Sequence, residues 1–252
     1  SDIMSGGSGF DIAAIRGSVE QGDQFTLEQR GHKAIFERVN LVPFRLTVDT
    51  TEAFVIQGEG GDDSLEIGNL SRTGVRVVQF SGGLGNDVVD GRSARTTINA
   101  SGDLGRDVLL GGRADDALNG GHNGDIIAGG RGDDLLTGGS GGDAFVFSSG
   151  RRFRSRDFGV DVITDFNGAE GDRIILDRAT FGNITAADIA IVESDRAALR
   201  SSGLITYSQK TGNLFFNENG AEAGLGRGGQ IATLEGSGLK GSNISIVSEF
   251  AF

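Results

Sequence analysis

The chain has 252 residues, 44 of them Gly, and its 35 Asp and Glu outnumber 23 Lys and Arg to leave a net charge of −12. That balance favours cations as partners and argues against nucleic acid and anionic membranes. The absence of Cys excludes thiol catalysis, zinc–thiolate sites and disulfides, while 16 Phe in a chain that is 37% hydrophobic support a packed core.

Length allows one or two domains, and no apolar run approaches membrane-span length, so no membrane insertion is expected. The opening "SDIMSGGSGF" lacks the basic start and apolar stretch of a signal peptide. Its first residue is Ser, which suits a piece cut from a longer protein with domains upstream. Residues 1–57 read as a strand-rich β-coil segment. Within it, "FRLTVD" alternates Phe44, Leu46 and Val48 with Arg45, Thr47 and Asp49, the pattern of a half-buried strand. "AFVIQG" runs into a Gly-rich loop at 58–63, and "VRVVQF" (75–80) runs into another at 82–87.

From there the chain repeats. Aligned on Gly-Gly, it gives "GGLGNDVVD" (82–90), "GDLGRDVLL" (102–110), "GGRADDALN" (111–119), "GGHNGDIIA" (120–128), "GGRGDDLLT" (129–137) and "GGSGGDAFV" (138–146). "GEGGDDSLE" (58–66) is an outlying relative. The sixth position is always Asp: Asp63, Asp87, Asp107, Asp116, Asp125, Asp134 and Asp143. The eighth is always large and apolar: Leu65, Val89, Leu109, Leu118, Ile127, Leu136 and Phe145. A flexible linker has no reason to keep Asp and a hydrophobe in phase, so the repeat is structural. The segment "GRSARTTINAS" (91–101) replaces one loop, with Ile98 as its candidate inward residue.

This pattern resembles the hemolysin-type calcium-binding repeat, G-G-x-G-x-D-x-U-x, of the RTX proteins. The resemblance implies an all-β fold, a right-handed parallel β-roll with two nonapeptides per 18-residue turn. Gly permits the torsions that aim carbonyl oxygens at one point, Asp supplies hard anionic oxygen, and Ca2+ takes six to eight such ligands. The candidate metal-site residues are Asp63, Asp87, Asp107, Asp116, Asp125, Asp134 and Asp143. With them go the loop glycines Gly83, Gly85, Gly105, Gly112, Gly121, Gly130, Gly132, Gly139 and Gly141. One row should stack Asp107, Asp125 and Asp143, each 18 residues apart, with Asp87 joining it if the two-residue excess before residue 102 is absorbed; the other should stack Asp116 and Asp134. Four to five ions are expected over a calcium-binding roll at 58–146. Ala114 and Asn123 replace the fourth Gly, and Asp103 and Glu59 the second; Asn tolerates a left-handed backbone, whereas Ala114 puts the loop at 111–116 in question. Asp87 is expected beside the irregular 91–101 segment, and so to matter less than Asp125.

Residues 23–57 look like the strand-rich units preceding such repeats in large RTX proteins, which implies a continued coil of parallel strands without ions. A separate small β-domain is the alternative. Residues 147–252 resemble the C-terminal region of serralysin-type proteins in "DVITDFNGAEGDRIIL" and "GNLFFNENG", as does "DAFVF" just before them. That implies a mostly β cap built on Phe145, Phe147, Val162, Ile163, Phe166, Ile174 and Leu176, because solenoid ends must be covered. Thr185 and Asp188 form a capping-box pattern. Glu249, Phe250 and Phe252 loosely fit the family's C-terminal signal for type I secretion machinery. Whether Asp161, Asp165 and Asp172 bind a further ion stays open.

His32 and His122 are 90 residues apart and no H-E-x-x-H occurs, so the zinc site of serralysins is missing. "GLGRGG" (224–229) has no strand before it or helix after it and is rejected as a nucleotide loop. "RRFRSR" (151–156) is a solvated loop or an anion site, with the loop favoured. The expectation is a non-enzymatic calcium-binding module of a secreted bacterial protein, at the cell surface or outside. The alternatives are an adhesive or surface-layer module, or the non-catalytic part of a secreted protease or polysaccharide-acting enzyme.

Overall fold

A computed structural model describes residues 2–5, 7–220, 222 and 224–250. Phe252 lies outside the described residues. Two eleven-stranded sheets face each other along the whole chain. In the repeat region a strand of one sheet, such as Thr97–Leu104, passes through a Gly-rich loop into a short strand of the other, Val108–Leu110. A second loop then leads back to Ala117–His122 in the first sheet, one step further along the axis. The result is a parallel β-roll.

The nine-residue period sets the register. Val108 pairs with Ile126 and Leu109 with Ile127, while Ala100 pairs with Leu118 and Leu118 with Leu136, each 18 residues on. Side chains alternate across a strand, so the eighth-position residues share one interior. Leu65, Val89, Leu109, Leu118, Ile127, Leu136 and Phe145 are all buried in it. Ile98 also points inward, yet the residue in register with Leu118 is Ala100; Ile98 belongs to the neighbouring ladder with Val78 and Phe54. The twenty-residue step from Thr97 back to Val77 absorbs the two-residue excess.

One hydrophobe per short strand makes a thin core, and both ends thicken it with aromatic rings. At the N-terminal end Phe36 packs against Phe25 and Phe54. The strands here share the roll's two sheets, but the expected parallel coil is interrupted: Lys33–Arg38 runs antiparallel to both of its neighbours, Gln24–Arg30 and Phe44–Asp49. The two-residue turn at Gly31 (φ +65°) permits a hairpin that an 18-residue coil cannot contain. Phe44 is 40% exposed, so only Val48 of the predicted alternation is fully buried.

At the other end, Ala144–Phe147 pairs with Arg173–Asp177, which pairs with Ile244–Val247. Phe153 stacks on Phe158 and meets Phe181 and Phe216. Phe145, Phe147, Ile163, Phe166, Ile174 and Leu176 are buried, while Val162 is half-buried. The Thr185 N–H donates to Asp188 Oδ2 at 2.8 Å, the predicted box, on a single 3-10 turn.

Candidate metal centre

The loops stack into two rows along opposite edges of the roll. In the first row the backbone N–H of each Asp donates to Oδ1 of the Asp one turn further on. The series runs Asp23, Asp63, Asp87, Asp107, Asp125, Asp143 and Asp172, at 2.5–2.9 Å. The second row is shorter: Ile98 N–H to Asp116, Asp116 to Asp134 and Asp134 to Asp161, at 2.8, 2.8 and 3.2 Å. The irregular segment 91–101 therefore interrupts only the second row. Asp87 does not sit beside it, as the linear alignment suggests, but lies inside the longer row with partners on both sides.

Each bond uses one carboxylate oxygen. The other, Oδ2 of Asp63, Asp87, Asp107, Asp125, Asp134 and Asp143, is buried without a hydrogen-bond partner. A buried anion with an orphaned oxygen is costly by several kcal/mol, so five such atoms in the first row and a sixth, on Asp134, in the second need a common explanation. The loop glycines supply it. A Cβ on Gly102 would collide with Asp107 Oδ2 and fall 2.6 Å from the Gly120 carbonyl oxygen of the next turn. The same pairing recurs at Gly58 (Asp63 and the Gly82 carbonyl), Gly82 (Asp87 and Gly102) and Gly120 (Asp125 and Gly138). A side-chain-free space thus meets one unpartnered carboxylate oxygen and one carbonyl oxygen, turn after turn. Among the described residues no three His, Cys, Asp or Glu side chains converge. A cation in these loops would take its ligands from single carboxylates and main-chain oxygens, the hard donor set that suits calcium.

The torsions agree with that purpose. Gly83, Gly121, Gly130 and Gly139 at the second position, and Gly85, Gly105, Gly132 and Gly141 at the fourth, have φ between +95° and +153°. Their non-Gly replacements follow: Glu59 (+75°), Asp103 (+71°) and Asn123 (+73°) adopt the left-handed region too. The loop at 111–116 departs. Neither Gly112 nor Ala114 takes positive φ, and the Gly112 N–H donates to Asp116 Oδ2 at 2.6 Å. Both oxygens of Asp116 are therefore satisfied by main-chain N–H groups, and the expectation of Gly112 as a ligand-aiming glycine is not met. The neighbouring turn explains why: Gly112 packs beneath the carbonyls of Gly91 and Ala94, where no calcium loop stands opposite.

Burial pushes the row carboxyls up, with adjacent carboxylates adding to the shift and main-chain N–H groups opposing it. Asp63, Asp116 and Asp143 rise to about 6, Asp87 and Asp125 to about 7. Asp107, Asp134, Asp161 and Asp172 move the same way. Without a cation the rows hold protons well above the usual carboxylate range; a bound cation would displace them.

The rows extend beyond the repeats. Asp161 and Asp172 close their far ends, although "DVITDFNGAEGDRI" breaks the nine-residue spacing; the "GD" of Gly171-Asp172 is the only local sign of it. Asp165 accepts the N–H groups of Gly138 and Gly139 at 2.9 and 2.8 Å. At the near end Asp23, from "GSVEQGD", was invisible to a Gly-Gly alignment. Its Oδ2 accepts the Ser18 N–H at 2.6 Å, and Arg38 Nη1 lies 3.3 Å from Oδ1. A fixed guanidinium thus neutralises the last carboxylate of the row.

The sequence model of the RTX calcium-binding nonapeptide repeat matches residues 79–98, 99–121 and 123–153, in four copies. Residues 79–153 carry RTX calcium-binding repeats. These repeats bind Ca2+, and four of them have room for several ions. They are structural calcium-binding units rather than catalytic ones, and they occur in secreted proteins. No curated protein matches the chain. Among the described residues no helix is long and apolar enough to cross a membrane.

Proposed function

We propose that the chain is a calcium-folded β-roll module of a secreted bacterial protein. It would pass a type I exporter unfolded, where calcium is scarce, and fold outside, where calcium is abundant. The observation that carries this reading is the file of buried, unpartnered Oδ2 atoms on Asp63, Asp87, Asp107, Asp125, Asp134 and Asp143. Stacked carboxylates repel one another, and a Gly-rich chain loses much entropy on ordering. Ions that bind only the stacked form would then make their binding free energy the folding free energy.

We assign the ligands to those six Asp and to the carbonyls of the loops that face them. Asp116 serves chiefly as a main-chain acceptor. Residues 58–146 would be the calcium-dependent roll, residues 1–57 and 147–252 its two end segments. Among the described residues no three His, Cys, Asp or Glu side chains converge, and we read the chain as a binding and folding module. Far-UV circular dichroism during calcium titration tests the reading. Cooperative gain of β-signal with calcium, and little with magnesium, whose strict octahedral geometry suits these loops poorly, is the expected outcome. Equal β-signal in calcium and in chelator would refute it.

A further inference from the structure

The second row carries a feature that calcium binding leaves unused. Arg113 and Arg131, the third residues of two stacked loops, line a cleft of about 430 Å³ together with Arg92, Arg151 and the Ser148–Ser149 pair. Four guanidiniums converge there in a chain of net charge −12. Asp157 lies buried among them and holds two at once: Arg131 Nη2 at 2.9 Å and Arg151 Nη2 at 2.6 Å, with Arg151 Nε at 3.1 Å. Arg92 is held by Asp90 at 2.7 Å. Arg113 is exposed, and no carboxylate is paired with it among the described residues.

Among the described residues that line the cleft, Arg113, Arg131 and Arg151 thus set three guanidiniums against the single carboxylate of Asp157. Asp157 serves as an anchor that orients Arg131 and Arg151, because a buried carboxylate fixes the planar forks that it accepts. Oriented guanidiniums bind tetrahedral oxyanions through paired, charge-assisted hydrogen bonds. We propose that this cleft binds a phosphomonoester dianion, with Arg113, Arg131 and Arg151 as its donors. Arg113 and Arg131 reach the cleft only when the loops at 111–116 and 129–134 are stacked. The site would then form with the calcium-loaded roll, and this part rests on the calcium-folding reading above.

The test uses the full chain in excess calcium, its folding checked by circular dichroism, and calorimetric titration with glucose 1-phosphate, with glucose as the neutral control. Saturable binding of the phosphate ester and none of glucose is expected. Arg113→Gln should weaken binding about tenfold or more, the loss of a hydrogen bond to a charged group, while leaving the calcium midpoint of folding unchanged. Binding should vanish in chelator together with the β-signal. A calcium-loaded, folded chain that binds no phosphate ester would overturn the site while leaving calcium-driven folding intact, as would Arg113→Gln with unaltered affinity. A chain that stays folded and binds the ester in chelator would keep the anion site and overturn its dependence on calcium.

Discussion

Replacing Asp125 by Asn separates the two roles that the rows assign to each carboxylate. Asp125 accepts the Asp107 N–H through Oδ1 at 2.8 Å and leaves Oδ2 buried and unpartnered beside the Gly138 carbonyl. An Asn amide keeps the Oδ1 acceptor, and its NH2 group could donate to that carbonyl. Without calcium the variant should be more stable than the parent. Asp125 carries its carboxyl at about 7 against an ordinary 3.8, so the ionised form costs the calcium-free fold at most ~4 kcal/mol above neutral pH, a penalty that Asn does not carry. With calcium the sign reverses. The ion loses a charged ligand worth ~1.5–3 kcal/mol, which is about 10- to 100-fold in the affinity of that site. Thermal melts followed by circular dichroism, in chelator and in excess calcium, read both effects. Asp125→Asn should show more β-signal in chelator and a smaller gain from calcium. If the variant is no more ordered in chelator and gains as much from calcium as the parent, the unpartnered oxygen of Asp125 is not a calcium ligand.

The raised carboxyls also set a pH dependence. Groups that bind protons more tightly when folded stabilise the calcium-free roll below about pH 4 and lose that contribution as pH rises through 6 to 7, the folded-state values of Asp63, Asp87, Asp125 and Asp143. In chelator, β-signal should fall across that window, whereas the calcium midpoint should move to higher calcium as pH drops and protons compete. Gly102→Ala should cost several kcal/mol and weaken calcium-driven folding, since its Cβ meets Asp107 Oδ2 and the Gly120 carbonyl. Gly229→Ala, which meets nothing within 4 Å, should be nearly neutral in the same titration. Truncation after Gly150 should expose the edge of Ala144–Phe147 and the core around Phe145 and Phe147. Light scattering on addition of calcium should then report aggregation, and a soluble truncated chain with an unchanged calcium midpoint would show that residues 151–252 are not a cap.

The middle of the molecule was legible because its period is local. A residue type recurring every nine positions, with Gly, Asp and hydrophobe in fixed phase, has one economical solution. The sequence alone therefore determined the in-phase Asp and the inward Leu109, Ile127 and Leu136, while calcium and the stacking into two rows followed from the resemblance to the RTX repeat. It also showed that the loop at 111–116 was the weak unit, through Ala114. What it could not decide depends on which turn faces which. The segment 91–101 follows Asp87 in the chain but stands on the opposite edge, so Asp87 keeps its stacked neighbours Asp63 and Asp107, and Asp116 closes on Gly112 instead. Asp23, Asp161 and Asp172 join the rows across separations of 40, 27 and 29 residues, and no fixed-period alignment reaches that far. The antiparallel meander at 24–49 and the meeting of Arg131 and Arg151 on Asp157 belong to the same class. Each is a contact between segments whose spacing follows no repeat, and only the stacking of turns in three dimensions brings them together.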